Sequence, residues 1–208
     1  MPDTVSQGRQ WRVHISDLTL RRARQVVLER FSWEHAQGEI AWVIGENGAG
    51  KSSLLRALAG CLLPTAGEVR YSGPGPVTRL YYHPGMRLPA GVTVGDWSRL
   101  VARLVPGGVS SHPLAAASAT AEKEVTRLST GEAKRLLLDA LFRREAAVTL
   151  LDEPYEHLSA AARHTLTELL LERARTGVVI VTTNQEIPEK AARVVLRVDA
   201  VRVLAEPA

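Results

Sequence analysis

Residues 45–52 read Gly45-Glu46-Asn47-Gly48-Ala49-Gly50-Lys51-Ser52. This run matches the pattern G-x(4)-G-K-[ST], in which glycines let successive backbone N–H groups turn inward around an anion. An apolar run at 39–45 predicts a buried strand before it, and apolar residues at helical spacing predict a helix over 51–63 after it. Because that context is the one in which the pattern binds phosphate, we expect a phosphate-binding loop. The alternative is a glycine-rich turn that binds nothing.

The chemistry of this loop assigns a role to each part of it. The Lys51 ammonium is expected to reach the β- and γ-phosphates of a nucleotide, and the Ser52 hydroxyl to ligate Mg²⁺. The positive N-terminal end of the following helix adds to the attraction for phosphate. The predicted phosphate-binding residues are Gly45, Glu46, Asn47, Gly48, Ala49, Gly50, Lys51, Ser52 and Ser53.

A second apolar run, at 148–154, ends in two acids and a proline. Ligands of parallel sheets bind at the C-terminal ends of the strands, so Asp152 is expected beside the phosphate loop as a Mg²⁺ ligand, directly or through water. Glu153 is expected to point the other way along the pleat and to act as general base on a water that attacks the γ-phosphate. The alternative is that the two acids merely begin a loop.

The rest of the chain predicts an α/β fold. Strands alternate with helices from residue 131 onward, which indicates a mostly parallel sheet with helices on both faces. The segment 11–35 favours a small antiparallel sheet, and 194–206 a closing hairpin. Residues 84–128 are rich in glycine, proline, serine and alanine but stay apolar, and they favour a separate helical lobe with short helices at 97–105 and 121–128.

Residues 128–132 read Leu-Ser-Thr-Gly-Glu and precede a predicted helix. Ser129 and Glu132 have the S-x-x-E spacing of a capping box, which needs no ligand. A capped helix start with serine and glycine is equally suited to bind an anion. The segment lies about twenty residues before the acidic strand, and this position favours the anion site.

The phosphate loop, the Leu-Ser-Thr-Gly-Glu segment and the acidic strand, in this order and spacing, resemble the nucleotide-binding subunit of ABC transporters. The resemblance covers nearly the whole chain. It implies a P-loop NTPase (RecA-like) core with an antiparallel β subdomain and a small α-helical signature subdomain. Residues 1–208 would form one such domain, with 1–82 and 130–208 as the core and 83–129 as the helical subdomain.

This resemblance also implies ATP and Mg²⁺ as cofactors, and hydrolysis of ATP. In that family two such domains face each other head to tail, so Ser129 and Gly131 would contact the γ-phosphate held by a second subunit, identical or different. A membrane permease subunit would dock near the helical subdomain and hold the chain at the cytoplasmic face of the inner or plasma membrane. No nucleic acid is expected.

Several residues depart from the family pattern. Thr130 and Glu132 stand in the signature where glycine and glutamine are usual, and Glu132 adds negative charge near a phosphate. His83 stands at the family's glutamine position; it is expected to contact Mg²⁺-bound water, or else to be a loop histidine without a role. Asn184 stands at the switch histidine and donates hydrogen bonds but carries no charge. Ser159, where an aspartate is usual, can still cap a helix.

These departures predict slow hydrolysis with Glu153, Asn184 and His83 as the catalytic group. Arg22 lies near the family's adenine-stacking aromatic residue and can stack on a base, or be a plain surface arginine. His83-Pro84-Gly85 and the Thr-Thr-Asn-Gln run at 182–185 resemble, more narrowly, the ATPase subunit of the haem-exporter, cytochrome c maturation type.

Composition limits the function classes. The chain has 208 residues, one cysteine and a net charge of +4, which exclude an intrachain disulfide and give no argument for nucleic acid. No apolar stretch approaches the ~20 residues of a membrane span, and the first residues lack the apolar region of a signal peptide.

Two functions of the chain stay open: an active motor subunit, and a weakly catalytic, ATP-sensing scaffold. An ABC protein acting on ribosomes or DNA would need tandem domains or a long coiled-coil insertion.

Overall fold

The computed structural model describes residues 10–104, 114, 120–191, 194–199 and 202–207, and of these it leaves out the side chains of 199 and 202–207. The chain divides into two compact units. The first comprises Met1–His83, Ala146–Pro154 and Leu170–Ala208, and the second Pro84–Glu145 and Tyr155–Leu169.

An antiparallel sheet forms one part of the first unit. Its strands are β1 (Arg12–Arg22), β2 (Gln25–Ala36) and β4 (Ala66–Ser72), in the order β2-β1-β4. Alternate apolar side chains of β1 turn inward, as a half-buried strand requires. The register shifts between Ile15 and Leu18, where Asp17 has a positive φ of 47°, so a bulge interrupts the ladder.

A six-stranded sheet forms the other part. Its order is β5-β6-β7-β3-β8-β9, with every neighbouring pair parallel except the terminal hairpin β8-β9. The strands are β3 (Ile40–Ile44), β5 (Arg79–Tyr82), β6 (Val148–Asp152), β7 (Val178–Thr182), β8 (Val194–Asp199) and β9 (Arg202–Pro207). Every residue of β6 and β7 is buried, which explains their continuous apolar sequence. The predicted α/β fold is confirmed.

Helix α1 (Lys51–Ala59) follows the glycine-rich loop and is shorter than predicted. Gly60 has a left-handed φ of 79°, and its N–H bonds to the carbonyl of Ala57. The N–H groups of the next two residues then bond to Arg56 O, which closes the helix end. Glycine is the residue that best adopts this C-terminal conformation, so the helix ends there and not at the later proline.

The second unit contains α2 (Val94–Leu104), α3 (Thr130–Phe142) and the first ten residues of α4 (Ala160–Ala174). The predicted helix at 121–128 is wrong, because only one 3₁₀ turn, Val125–Arg127, forms there. Backbone bonds to the 92–95 segment account for the difference: Gly95 N donates to Ala121 O, and Val94 N to Lys123 O. The predicted helix at 97–105 begins earlier, at Val94, and its residue 105 lies outside the described residues.

Among the described residues, no helix is both long enough and apolar enough to cross a membrane.

Candidate functional site

The glycine-rich loop follows β3 with a backbone that side chains would obstruct. Gly45 has φ of 149° and Gly50 has φ of 110°, both in the left-handed region. A Cβ at Gly45 would lie 2.2 Å from the carbonyl oxygen of Val198, and one at Gly50 would lie 2.7 Å from that of Val27. Glycine is therefore required at both positions, as the phosphate-loop pattern predicts.

Helix α1 starts without a side-chain cap. Gly50 precedes it, no side-chain cap is found for it among the described residues, and its first turn holds no acid. Ser52 and Ser53 are half-buried in that turn. Since the first N–H groups of a helix lack partners within it, this end is free to bind an anion.

The Lys51 side chain is folded into the loop and is only 6% exposed. Its ammonium donates to the carbonyls of Gly45 at 2.7 Å and Glu46 at 3.1 Å, and to Asn184 Oδ1 at 2.5 Å. It also lies 3.7 Å from a carboxylate oxygen of Glu153. All three ammonium protons therefore have acceptors on the protein, and nucleotide phosphates must exchange with some of them.

Asp152 ends β6 and is 3% exposed, and Glu153 follows it. Glu153 has φ of 47°, so it lies outside the strand and the alternation of the pleat does not set its direction. Its carboxylate accepts a hydrogen bond from the backbone N–H of Asn184 at 3.0 Å. A left-handed turn therefore brings Glu153 to the phosphate loop. The sequence had instead indicated that the alternation of side chains along the strand would set its direction.

The donors near the acids fit a magnesium ion that arrives with a nucleotide. Within the described residues, no three His, Cys, Asp or Glu side chains are grouped so that they could hold a metal by themselves. Mg²⁺ keeps oxygen ligands and is commonly held by one or two carboxylates together with substrate phosphates. Asp152 and the Ser52 hydroxyl are oxygen donors of the required kind.

Asn184 connects the loop with the acids. Its side-chain amide donates to Asn47 Oδ1 at 2.6 Å, its side-chain carbonyl accepts from Lys51, and its backbone N–H bonds to Glu153. Four predicted residues therefore meet in one hydrogen-bonded group. The sequence indicated their proximity, but not that Asn184 would join all of them.

His83 and Arg22 lie at the ends of strands. The His83 ring follows β5 and packs against Tyr81 with 5.5 Å between ring centroids. Burial raises the pKa of Tyr81. The next residue of β5, Tyr82, pairs in register with Leu151, so this strand end lies beside the end of β6 that carries Asp152. Arg22 is exposed and pairs with Gln25 at the hairpin of β1 and β2. Roles of His83 in hydrolysis and of Arg22 in adenine stacking stay predictions.

The Leu-Ser-Thr-Gly-Glu segment begins α3 in the second unit with a complete capping box. Ser129 Oγ accepts from the N–H of Glu132 at 3.2 Å, and the Glu132 carboxylate accepts from the N–H of Ser129 at 2.8 Å. Lys123 Nζ lies 3.2 Å from the same carboxylate. The Ser129 backbone hydrogen bond, the Ser129 hydroxyl and Lys123 lower the pKa of Glu132.

These contacts reduce the effect that the negative charge of Glu132 is expected to have on a nearby phosphate. The Glu132 carboxylate is occupied within its own subunit, and Lys123 offsets its negative charge. Lys123 was not found from the sequence, because it lies nine residues before Glu132 in a segment that was predicted to be a helix and forms only a 3₁₀ turn.

Gly131 closely approaches the loop that follows the acids. A Cβ at Gly131 would lie 2.4 Å from the carbonyl oxygen of His157, which has a left-handed φ of 61°. Only glycine fits this contact without displacing the loop. Ser159 then caps α4 as predicted, since its hydroxyl accepts from the N–H of Ala162 at 3.4 Å.

The chain is similar to known proteins both in sequence and in fold. A family model described as "ABC transporter" matches residues 28–87. The "Cytochrome c biogenesis ATP-binding export protein CcmA" of Zymomonas mobilis is 32% identical over 84% of this chain and 79% of its own length. "Cytochrome c biogenesis ATP-binding export protein CcmA 1" of Salmonella paratyphi A is 34% identical over 84% of this chain and 90% of its own length. A solved "ATP binding subunit of ABC transporter" aligns with a TM-score of 0.78 at 21% identity, covering 94% of this chain and 89% of that one.

Proposed function

Because the chain belongs to the ABC transporter family, as an ATP-binding subunit that hydrolyses ATP, we propose that it powers a transporter of the cytochrome c maturation type together with a separate membrane subunit. The observation that supports this most is the pair of relatives named for cytochrome c biogenesis export, at 32% and 34% identity over 84% of the chain. The alternative of a degenerate, ATP-sensing scaffold receives no support from these relatives.

Hydrolysis is assigned to the residues that meet at the phosphate loop. Lys51 would exchange its contacts with Asn184 and the loop carbonyls for the β- and γ-phosphates. Ser52 and Asp152 would hold Mg²⁺, which neutralises charge on the phosphates. Glu153 would accept the proton of the water that attacks the γ-phosphorus, and ADP would leave as the bond to the β-phosphate breaks.

A second subunit would complete the site. An open groove of about 900 Å³ beside the loop is lined by residues that include Asn47, Asn184 and Arg197, which leaves this edge accessible to another chain. Ser129 and Gly131 of that subunit, identical or different, would contact the γ-phosphate across the interface. The ordered capping box supports this, because it fixes the first turn of α3 before any partner is present.

The membrane subunit would dock on the helical subdomain at 83–129. This contact would hold the chain at the cytoplasmic face of the membrane. Two leucines of α2 support this, since Leu100 is 44% and Leu104 is 62% exposed.

We expect the double variant Leu100→Arg/Leu104→Arg to be recovered without the membrane subunit when the tagged chain is purified from its native membranes, because charge in a docking patch is costly. Leu63→Arg, at a leucine that is 88% exposed in the first unit, is the matched control. Equal recovery with both variants would contradict this docking side.

ATP hydrolysis would be slow because Asn184, at the position of the family's switch histidine, has a neutral side chain. We expect Asn184→His to raise the steady-state ATPase rate several-fold, because the imidazole can add a positive charge near the γ-phosphate. The backbone bond from residue 184 to Glu153 does not depend on the side chain and is retained. Relative to the wild type, the gain in rate should be largest below pH ~6.5, the ordinary histidine pKa, because the added imidazole is then protonated. Rates measured between pH 6 and 8.5 test both points, and an unchanged rate and profile would contradict this account of Asn184.

A further inference from the structure

Thr182, the last residue of β7, lies between the two acids of the site. It is fully buried and pairs in register with Asp152 of the neighbouring strand. Its hydroxyl donates to Asp152 Oδ1 at 2.7 Å and accepts from the backbone N–H of Glu153 at 2.9 Å. The Thr182 hydroxyl thus contacts both the proposed Mg²⁺ ligand, Asp152, and the proposed general base, Glu153.

A buried hydroxyl in an apolar strand is costly unless it is hydrogen-bonded, and Thr182 uses its hydroxyl both as donor and as acceptor. Thr149 of β6 provides a contrast. It is 2% exposed, and within the described part of the chain its hydroxyl has no hydrogen-bond partner. The two threonines are alike in type and burial, so their different bonding indicates that the Thr182 contacts are specific to the acids.

The two hydrogen bonds restrict different motions. The bond to Asp152 Oδ1 limits rotation of that carboxylate and leaves its second oxygen for another ligand. The bond from the Glu153 N–H helps to hold the left-handed backbone at φ of 47°, a conformation that a glutamate rarely adopts. Held in this way, the Glu153 carboxylate reaches the N–H of Asn184.

We propose that Thr182 is a positioning residue for ATP hydrolysis, whose hydroxyl orients Asp152 toward Mg²⁺ and Glu153 toward the attacking water. The inference rests on the hydrolytic function proposed above. It adds a residue from the strand next to the acids, outside the phosphate loop and the acidic pair.

The test compares Thr182→Val with Thr182→Ser and with Thr149→Val as the matched control, all in the full chain. ATP affinity in EDTA and in excess Mg²⁺, kcat, and the Mg²⁺ concentration for half-maximal rate are measured, together with the unfolding temperature without nucleotide. We expect Thr182→Val to lower kcat roughly 10- to 100-fold, as a small misplacement of reacting groups does. It should raise the Mg²⁺ requirement and leave ATP affinity in EDTA unchanged. It should also lower the unfolding temperature, because Asp152 and Glu153 lose a buried partner.

Thr182→Ser should restore the wild-type values, because it retains the hydroxyl. Thr149→Val should match the wild type in ATP affinity, kcat and Mg²⁺ requirement, and its unfolding temperature should not fall, because the change removes a buried hydroxyl that has no partner among the described residues. The proposal is overturned if Thr182→Val behaves like Thr149→Val, or if Thr182→Ser is as impaired as Thr182→Val. Should Thr182→Val not fold, Thr182→Cys replaces it with the same expectation, because a thiol is a weak donor. A wild-type chain that lacks ATPase activity even when assembled with its second subunit and the membrane subunit would instead contradict the proposed function, and the Mg²⁺-dependent ATP affinity would then decide on Thr182.

Discussion

Glu153→Gln should lower the rate of ATP hydrolysis about 100-fold or more, within the range that a general base contributes. The glutamine carbonyl can still accept the N–H of Asn184, so the left-handed turn after β6 is retained. ATP should therefore bind as tightly as to the wild type and remain unhydrolysed. The loss would follow from the missing proton acceptor and not from a disordered site.

Single-turnover measurements with excess protein separate these steps, because bound ATP and released phosphate are counted in one experiment. Glu186→Gln is the matched control: it is the same change at an exposed acid two residues beyond Asn184. An unchanged rate in Glu153→Gln would show that this chain does not use Glu153 as a base. Equal loss in both variants would point to a general effect of charge at this edge of the sheet.

Lys51→Ala should abolish the stabilisation of the chain by ATP. In the wild type, ATP at 100 times its dissociation constant should add about 2.7 kcal/mol to the free energy of unfolding. The variant lacks the only ammonium that contacts the loop carbonyls in the described residues, so phosphates lose their main cationic contact. It also leaves Glu153 without the charge 3.7 Å away, so the nucleotide-free protein should unfold at a lower temperature.

Thermal unfolding with and without ATP measures both effects. Lys190→Ala removes an exposed lysine from the same unit and should keep the full ATP-dependent shift. A shift in Lys51→Ala as large as in the wild type would mean that phosphate binds elsewhere on the chain.

The parts of the fold that a short stretch of sequence determines were predictable. The buried strand, the glycine loop and the start of α1 follow from an apolar run, two glycines that no other residue replaces, and a helical spacing. The acidic end of β6 follows in the same way. Gly60 is itself a signal for the end of α1, but the leucines that follow it suggested a longer helix.

Features that depend on distant parts of the chain were not predictable. The 121–128 segment has a helical composition, yet with its backbone bonds to residues 92–95 it forms only one 3₁₀ turn. The role inferred for Thr182 requires the register of β6 against β7, whereas its sequence neighbours only indicate a buried strand. The left-handed turn at Glu153 likewise depends on partners 29 and 31 residues away.

The close contact of Gly131 with His157 has a consequence for how mutational data on this chain are interpreted. A scan of substitutions would score position 131 as intolerant even in a chain that never meets ATP, because the defect arises while the subunit folds. Intolerance there is no measure of nucleotide contact between subunits. Thr130, whose side chain is exposed at the first position of α3, is the more informative neighbour, since a loss there is easier to attribute to the assembled dimer.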